Sequence, residues 1–547
     1  MFSHFFIQTK RIAVIGAGAS GLPAIKCCLD EGLLPVCFEL SESIGGLWNY
    51  TPEARDGRGT VMKSTVINVS KELMAFSDFP IPKEFPMFMH NTLVQKYLEM
   101  YAEHFNLLRH VQFQKEVVWC EPTVDFEKTG KWTLKIKDIK SGKIINEIFD
   151  GVMAATGHHT APLLPAFDGQ DIFKGRTLHT VQYRDSLEFS EKRVLIIGIG
   201  NSGADIACEL SRVSSKVVLS TRSGSWVIQR IGDKGMPFDM LGTTRAVQYF
   251  QKCLPLSLLN SLTEMQINAR FDHEKYGLKP NYPPRAQDPL ISDEFHLRIA
   301  NGLVQIRPNV QHFTGSSVVF VDGSVYDDID VVIFATGYKI GFTYVDKKVT
   351  ESRDNVVDLY KFIFPPNLTK PTFSVIGCVQ PLGSITPVAE LQSRVATRVL
   401  KEDVQLPTRK QMWEDIYQKR QELAKHYTHS LRHTVMVEFI DYLDELADII
   451  GCKPRLCKLW LTDPRLAYAC TFHPCAAYQY RLTGPLPWKG AREAIFTQWE
   501  RTLFPLKHRT MKETNETHTR FQYFIMLCTM VTVVTAILTY ILFVGHI

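Results

Sequence analysis

A glycine turn between an apolar strand and a helix constrains this chain more than any other stretch. The residues Val194–Gly203 read VLIIGIGNSG, so that four apolar residues lead into a Gly-x-Gly-x-x-Gly turn, and the helix-like ADIACELSR follows. In a dinucleotide-binding fold the first glycine makes the tight turn, the second admits a pyrophosphate and the third lets helix pack on strand. Backbone amides at the helix N-terminus then face the phosphates. The nucleotide contacts predicted here are Gly198, Gly200, Asn201, Ser202 and Gly203.

An earlier stretch of the chain repeats this arrangement with an acid added. The strand-like RIAVI enters a second Gly-x-Gly-x-x-Gly turn, a helix follows, and the next strand, PVCFE, ends on Glu39. A carboxylate at that strand tip accepts hydrogen bonds from ribose hydroxyls and repels a 2′-phosphate. The sequence therefore predicts a site for FAD or NAD here rather than for NADP. Its predicted contacts are Gly16, Gly18, Ser20, Gly21 and Glu39.

The strand after the later turn carries the opposite charge. KVVLSTRSGSW places Thr221 and Arg222 where the earlier site has its acid, with Arg222 nineteen residues past Gly203. A guanidinium at this position binds a 2′-phosphate through charge-assisted hydrogen bonds, which predicts NADP as the ligand. The alternative interpretation of Arg222 is a solvated surface charge.

Two further segments bring glycine or small residues to the predicted cofactors. Ser43–Trp48 reads SIGGLW, in which a glycine pair lets backbone approach a ligand and Trp48 offers a flat apolar wall. An ordinary turn with a core tryptophan is the alternative. The strand DGVMAATG ends in small residues, which allows close passage by a cofactor, and DVVIFATGY repeats it later. The contacts predicted in the first segment are Gly46, Leu47 and Trp48.

Length, charge and cysteine usage limit the class of protein. A chain of 547 residues exceeds one core, so two or more domains are expected. A net charge of +5 over that length gives no argument for nucleic acid. The twelve cysteines include no C-x-x-C; Cys452/Cys457 and Cys470/Cys475 have x4 spacing, for which zinc ligands and buried free thiols are the alternatives. We expect no metal, and reduced thiols indicate a cytosol-facing body.

The C-terminal stretch is unlike the rest of the chain. No charged residue occurs in 521–545, and the apolar run 523–544 would extend about 33 Å as a helix, enough to cross a bilayer. A buried core helix is the alternative. Because basic residues lie on its N-terminal side, the positive-inside rule predicts a cytosolic body and a tail anchor. These residues are Lys507, Arg509, Lys512 and Arg520.

A pattern just before the later turn makes a family resemblance specific. Phe173–Tyr183 reads F-x-G-x-x-x-H-x-x-x-Y, which resembles the fingerprint of flavin-containing monooxygenases. Together with the two turns and GGLW, the resemblance extends over roughly residues 10 to 510 and is strongest to the animal microsomal members. It implies that His179 helps to hold the NADP and FAD regions together and takes no part in proton transfer.

The resemblance implies an α/β fold with two Rossmann-like dinucleotide-binding domains, the NADPH domain being inserted into the FAD domain. A helical C-terminal region and a C-terminal transmembrane helix follow. The expected boundaries are 1–160 for the first part of the FAD domain, 161–330 for the NADPH domain with a helical insertion at about 233–300, 331–405 for the second part of the FAD domain, 406–520 for the helical region and 521–545 for the transmembrane tail anchor.

The resemblance also implies a reaction. NADPH reduces FAD, reduced flavin and O2 form a C4a-hydroperoxide, and the oxygen passes to an amine nitrogen or a thioether sulfur of a lipophilic small molecule. The loop TVINVSKE matches the family's asparagine loop, so Asn68 is the predicted catalytic residue and also contacts FAD. Localisation at the endoplasmic reticulum membrane is implied, and a homo-oligomer is compatible with it.

Three other functions stay open at this point. The same cofactors support Baeyer–Villiger insertion into ketones, release of H2O2 as an NADPH oxidase, or nucleotide binding without turnover in a membrane-tethered protein. Two departures from the family, Val395 and the stretch 484–488, fall near regions that the family associates with the substrate route. They put the substrate range in doubt and leave the reaction class unaffected.

Overall fold

The structure, a computed structural model, describes residues 9–54 and 57–509. The chain divides into a large unit, Met1–Thr502, and a small one, Leu503–Ile547. Within its described residues the small unit contains the 3₁₀ turn Phe504–Leu506. No helix in the described ranges is both long and apolar enough to span a bilayer. The predicted tail anchor, 521–545, lies outside the described residues.

The first of two five-stranded parallel sheets in the described part is built mainly from the start of the chain. Its strand order is Phe373–Val375, Gly151–Ala154, Arg11–Ile15, Leu34–Glu39, Val111–Phe113. The central strands are buried on both faces, as expected for near-continuous apolar runs in a parallel sheet. Helices Gly21–Asp30 and Ile385–Leu400 pack against each other, and both are largely buried.

The second parallel sheet lies in sequence between two strands of the first. Its order is Val304–Arg307, Lys216–Ser220, Arg193–Ile197, Val331–Phe334, Arg176–His179. All five strands fall after Ala154 and before Phe373 in the chain. Each glycine turn therefore ends a central strand of its own sheet, where it leads directly into a helix.

One predicted boundary is wrong. We expected the FAD domain to resume at residue 331, but Val331–Phe334 is a strand of the second sheet, where Val331 pairs with Val194 and with Arg176. A short apolar strand carries no signal for which of two similar parallel sheets it joins. The chain re-enters the main core, which surrounds the first sheet, at Ile340 and Phe342.

Smaller sheets surround these two. A three-stranded antiparallel meander borders the first sheet, and a shorter one borders the second. Their strands are Lys115–Pro122, Trp132–Asp138 and Ile144–Phe149, then Val310–Phe313, Val318–Phe320 and Val325–Tyr326. The paired short strands are Ala161–Pro162 with Tyr338–Lys339, Val227–Ile228 with Leu290–Ile291, Ser352–Arg353 with Val356–Val357, and Gln380–Pro381 with Met436–Val437.

The remaining helices occupy the insertion and the C-terminal region. Those of the N-terminal part and the second sheet are Lys71–Met74, Asn91–His104, Phe126–Thr129 and Asn201–Leu210. The insertion contains Phe238–Gly242, Arg245–Cys253, Leu256–Asn268 and Phe295–Ala300. The C-terminal region contains Arg409–His426, Phe439–Ile449, Leu456–Thr462, Pro464–Phe472 and Ala491–Leu503. Thr408 and Gln411 form a capping box, which fixes where the first C-terminal helix begins.

The cysteines of the described ranges are free, and most are buried, which agrees with the expectation of buried thiols. Cys452, Cys470 and Cys475 lie inside the core, whereas Cys457 is exposed. No group of His, Cys, Asp or Glu residues in the described part is arranged to hold a metal ion.

Candidate cofactor-binding and catalytic site

The first glycine turn can be made only by glycine at two of its positions. Gly16 has φ +98°, and a Cβ there would lie 2.7 Å from the carbonyl oxygen of Ala155. A Cβ on Gly21 would lie 1.8 Å from the carbonyl oxygen of Gly16. The helix therefore starts directly against the strand end, as it does in turns that bind a pyrophosphate at the helix N-terminus.

Glu39 closes this turn from the neighbouring strand. One carboxylate oxygen accepts from the backbone N–H of Ala17 at 2.7 Å, and the other accepts from the backbone N–H and the hydroxyl of Ser41 at 2.9 and 2.7 Å. The side chain is buried, and these bonds fix its orientation. The oxygen bound to Ala17 accepts only this one bond, so it keeps a lone pair with which to accept from a ribose hydroxyl.

The GGLW segment lies directly on the same turn. Gly45 pairs with Gly18 as a parallel β-bridge, and a Cβ on Gly18 would lie 3.4 Å from the Cα of Gly46. Trp48 is half-buried and packs against the main core, while Leu47 remains exposed. The structure thus brings together the residues that the sequence predicts as FAD contacts, although they come from separate segments.

Sequence reasoning missed a third segment at this turn. Gly377 approaches so closely that a Cβ there would lie 2.1 Å from the hydroxyl of Ser20, and its N–H donates to Gln392 Oε1 at 2.8 Å. Burial lowers the pKa of His158, although a hydrogen bond with the Gly377 backbone opposes the shift. The available signal was a glycine directly after the run FSVI, since both predicted turns also have a glycine directly after an apolar run.

The second glycine turn repeats the backbone of the first. Gly198 has φ +112°, and a Cβ there would lie 2.5 Å from the carbonyl oxygen of Ala335. A Cβ on Gly203 would lie 2.2 Å from the carbonyl oxygen of Gly198. The alanines of the two Ala-Thr-Gly segments, Ala155 and Ala335, therefore have the same task of backing the first glycine of each turn.

The polar residues predicted around the second turn have different environments. Asn201 accepts from the N–H of Ile291 at 2.8 Å, and Ser202 is exposed. The hydroxyl of buried Thr221 accepts from the N–H of Gly224 at 3.0 Å, so it shapes the turn. Arg222 is exposed, and within the described ranges it makes no hydrogen bond or ion pair, so that its guanidinium is available to an anion.

Asn68 lies on a loop that a residue of the insertion side holds in place. Its Oδ1 accepts from Nη2 of Arg230 at 2.6 Å, and Nε of the same arginine donates to the carbonyl oxygen of Ile67 at 3.1 Å. Asp293 pairs with Arg230 at 3.0 Å. Because Oδ1 is occupied, the orientation of the amide is fixed, and Nδ2 has no partner in the described part of the chain. Nothing in the sequence pointed to Arg230.

The residues after Asn68 fix the loop at several points. The backbone N–H of Ser70 donates to Asp239 at 2.6 Å. Buried Lys71 donates to three carbonyl oxygens of the 82–85 turn, and burial lowers its pKa to about 8. Fully buried Glu72 pairs with Arg501 at 2.6 Å. Charged contacts on all sides therefore leave this loop little freedom.

His179 is a structural residue, and this agrees with its interpretation from the sequence. Its Nδ1 accepts from the N–H of Val181 at 3.1 Å, so Nε2 carries the proton and donates to the carbonyl oxygen of Gly337 at 3.0 Å. Burial lowers the pKa of His179 to about 4. The neutral ring ties the edge of the second sheet to the second Ala-Thr-Gly segment.

Comparison with known proteins agrees with these two sites. A family model described as flavin-binding monooxygenase-like matches residues 9–542. The chain belongs to this family. Flavin-containing monooxygenase 5 of Rattus norvegicus is 48% identical over 92% of this chain and 94% of its own length. Dimethylaniline monooxygenase [N-oxide-forming] 2 of Oryctolagus cuniculus is 44% identical over 92% and 94%.

Solved structures show the same fold. The S-allyl-L-cysteine S-oxygenase of Allium sativum superposes with a TM-score of 0.61 at 26% identity, over 84% of this chain and 95% of the other. Cyclohexanone monooxygenase of Rhodococcus bound to NADP+ has a TM-score of 0.58 at 17% identity, over 81% and 98%, and shows the fold alone. The protein is therefore an α/β flavin monooxygenase that uses FAD and NADPH.

Proposed function

We propose that this enzyme oxygenates soft nucleophiles, amine nitrogen and thioether sulfur, in lipophilic small molecules. The observation that carries the proposal is the amide of Asn68, which Arg230 fixes through Oδ1 so that Nδ2 remains free to donate. Relatives named for N-oxide formation and for S-oxygenation support the same pair of target atoms.

The two turns fit the two cofactors in this proposal. Two features of the first turn suit FAD. Its glycines leave no room for a Cβ, and the carboxylate of Glu39 would repel a 2′-phosphate. The second turn excludes a Cβ in the same way, and its Arg222 has no ion-pair partner among the described residues, which suits NADPH. When bound and reduced, FAD supplies the centre that activates O2. The amide Nδ2 of Asn68 donates to the oxygen to be transferred, and its neutral donor adds no acidic proton there.

The test measures where the electrons of NADPH go. The purified, flavin-loaded enzyme is given a tertiary amine, a thioether or a cyclic ketone, and oxygenated product and H2O2 are measured per NADPH consumed. We expect N-oxide and sulfoxide to exceed ester and H2O2. Ester as the main product would establish Baeyer–Villiger oxidation, H2O2 without product would establish an oxidase, and protein without flavin would indicate nucleotide binding without turnover.

Asn68→Asp isolates the role of the amide. It keeps the shape and the contact with Arg230 but removes the Nδ2 donor. We expect product per NADPH to fall at least tenfold and H2O2 to rise in compensation, with flavin content unchanged, because the variant loses one charge-stabilising donor. Asn146→Ala, on the exposed side of strand Ile144–Phe149, is the matched control. Unchanged coupling in Asn68→Asp would remove Asn68 from the proposal.

We further propose that the enzyme is anchored in the endoplasmic reticulum membrane by residues 521–545, with its body in the cytosol. The support is the uncharged apolar sequence of this segment and the basic residues before it. Val533→Arg with Val534→Arg should move the full-length protein from the carbonate-resistant membrane fraction to the supernatant, since each charge is costly at the bilayer centre. Retention of that double variant in the membrane would contradict the tail anchor.

A further inference from the structure

Arg432 lies against the second glycine turn, although it belongs to the C-terminal region. It follows helix Arg409–His426 and precedes strand Met436–Val437. A Cβ built on Gly200 would lie 3.4 Å from its Nη1, and one built on Gly337 would lie 3.5 Å from its Nε. The guanidinium therefore lies between the middle glycine of the turn and the second Ala-Thr-Gly segment.

No described residue provides a counter-ion in contact with the Arg432 guanidinium. In the described ranges it forms no hydrogen bond or ion pair, and its side chain is open to solvent. Protein atoms nevertheless surround it closely enough to lower its pKa; Arg222 adds to this shift and Asp288 opposes it. The guanidiniums of Arg222 and Arg432 thus repel each other, and Asp288, whose carboxylate attracts Arg432, forms no ion pair in the described ranges. An anion with more than one charge relieves this repulsion.

The backbone around Arg432 is held firmly by polar contacts. Nδ2 of Asn355 donates to the carbonyl oxygen of Leu431 at 3.0 Å, and the Thr434 hydroxyl donates to the carbonyl oxygen of Asn355 at 2.6 Å. The imidazole of buried His433 donates through Nδ1 to the carbonyl oxygen of Thr428 at 2.8 Å. A cation on a segment this well fixed is pre-organised for a ligand, which reduces the entropy lost on binding.

We propose that Arg432 binds the pyrophosphate of NADPH, while Arg222 binds the 2′-phosphate. In a turn of this type the pyrophosphate passes over the middle glycine, and this is Gly200, the glycine that Arg432 approaches. The inference rests on the assignment of the second turn to NADPH in the proposed function. It adds a binding residue some 230 positions away in sequence that no nucleotide-binding motif would reveal.

The two roles predict different selectivities, which direct binding can measure. NADP+ and NAD+ are titrated calorimetrically into the oxidised, flavin-loaded enzyme. Because both ligands contain the pyrophosphate, Arg432→Met should weaken both by about 10- to 100-fold and leave their affinity ratio unchanged. Arg222→Met should weaken NADP+ by a similar factor and affect NAD+ little. In Arg432→Met the slope of log Kd for NAD+ against log salt should also fall.

Matched variants distinguish a binding role from a folding role. Arg432→Lys should restore part of the affinity for both ligands, because a charge remains without the planar fork. Arg353→Met removes an exposed arginine that pairs with Glu351 and should leave both affinities unchanged. Flavin content and melting temperature are recorded for each variant. If Arg432→Met misfolds, Arg432→Lys decides, because it should still bind NADP+ and NAD+ more weakly than the wild type while their affinity ratio stays unchanged.

Three results would overturn the inference. An Arg432→Met variant that binds NAD+ as tightly as the wild type would show that Arg432 does not reach the pyrophosphate. A loss confined to NADP+ would place Arg432 at the 2′-phosphate instead. If wild-type protein loaded with flavin binds neither dinucleotide, the assignment of the second turn to NADPH is wrong, and so are both phosphate-binding roles. The proposed oxygenation is tested separately, by the measurement of oxygenated product and H2O2.

Discussion

The two glycine turns have the same backbone conformation, but their selective side chains differ in whether protein groups already bind them. Their first glycines have φ +98° and +112°, and their third glycines exclude a Cβ through the carbonyl oxygen of the first. At the first turn the selective side chain, Glu39, is buried and accepts three hydrogen bonds from the protein. At the second turn the selective side chain, Arg222, is exposed, and neither its guanidinium nor that of Arg432 has a hydrogen bond or ion pair in the described ranges. The first site is complete in itself, whereas the second is completed by its ligand.

This difference suggests that the two ligands dissociate at different rates. The carboxylate of Glu39 keeps its hydrogen bonds to the protein whether or not a ribose is bound, so its orientation is already fixed. The first site therefore suits a cofactor that stays bound. Two guanidiniums that repel each other and have no ion-pair partner among the described residues favour binding of a phosphate, and added salt weakens that binding. The second site therefore suits a ligand that exchanges on each turnover, as a reductant must.

The largest expected effect comes from filling either cradle. Gly21→Ala places a Cβ 1.8 Å from a backbone oxygen and should yield no flavin-loaded protein, because backbone cannot move aside without separating helix from strand. Gly203→Ala, with a contact of 2.2 Å, should retain FAD and lose NADP+ binding. Flavin absorbance and calorimetry report the two results. Gly341→Ala, with open space around the Cβ, is the control. Equal losses of both cofactors in both variants would break the comparison.

Lowering the pH should reduce the free energy of unfolding of the part built around the second sheet, because His179 becomes protonated. Its pKa of about 4 in the folded protein lies below the unfolded value of about 6.5, so the unfolded chain binds the extra proton. Stability from this group is fully present above pH 6.5 and is lost as the pH falls towards 4, by about 3 kcal/mol in total. Urea unfolding between pH 7 and pH 4.5 measures it. His179→Gln should flatten this part of the profile, and an unchanged profile would show that His179 titrates normally.

Removing the charge of the selective residue should affect the two sites unequally. Glu39→Gln replaces one acceptor by an amide that opposes a backbone N–H, which should cost about 2 kcal/mol of stability and lower flavin content. Arg222→Gln should leave the melting temperature unchanged, because Arg222 makes no hydrogen bond or ion pair with the described residues that could be lost. Differential scanning fluorimetry of both variants without added nucleotide tests this. If the melting temperature of Arg222→Gln fell as much as that of Glu39→Gln, Arg222 would have a stabilising partner in the protein, contrary to this comparison.

Raising the salt concentration gives the smallest expected effect and tests the comparison without any substitution. Raising NaCl from 50 to 500 mM should weaken NADP+ binding several-fold, since exposed phosphate contacts are screened. The flavin content of the same samples should not change, because Glu39 is buried and its contacts are short. Gel filtration in each buffer followed by absorbance measures retained flavin. Salt-induced release of FAD would remove the distinction.

The sequence predicted best what is encoded locally. Each turn, its strand, its helix and its selective residue lie within about thirty consecutive positions, so spacing alone predicted Gly16 to Glu39 and Gly198 to Arg222 as two nucleotide sites. The approach of GGLW to the first turn also followed, because that segment comes directly after Glu39.

Contacts between distant segments were not predictable in this way. Val331–Phe334 could have extended either sheet, and only its register with Arg193–Ile197 decides between them. Arg230 and Arg432 are single arginines in segments without periodicity or motif, and they reach Asn68 and Gly200 only through the tertiary fold. The residues that tune the site are thus harder to find than those that build it.

The insertion of one sheet into another has a consequence for synthesis. The strand Gly151–Ala154 is buried between Arg11–Ile15 and Phe373–Val375, and the latter lies about 220 residues later. At a translation rate of about 5–20 residues per second, this apolar edge waits about 10–40 seconds for its partner. The inserted sheet, whose last strand ends at Phe334, has all its strands before then. The middle of the chain can therefore finish folding before its beginning does, and until Phe373–Val375 is synthesised the strand Gly151–Ala154 has an unpaired, aggregation-prone edge.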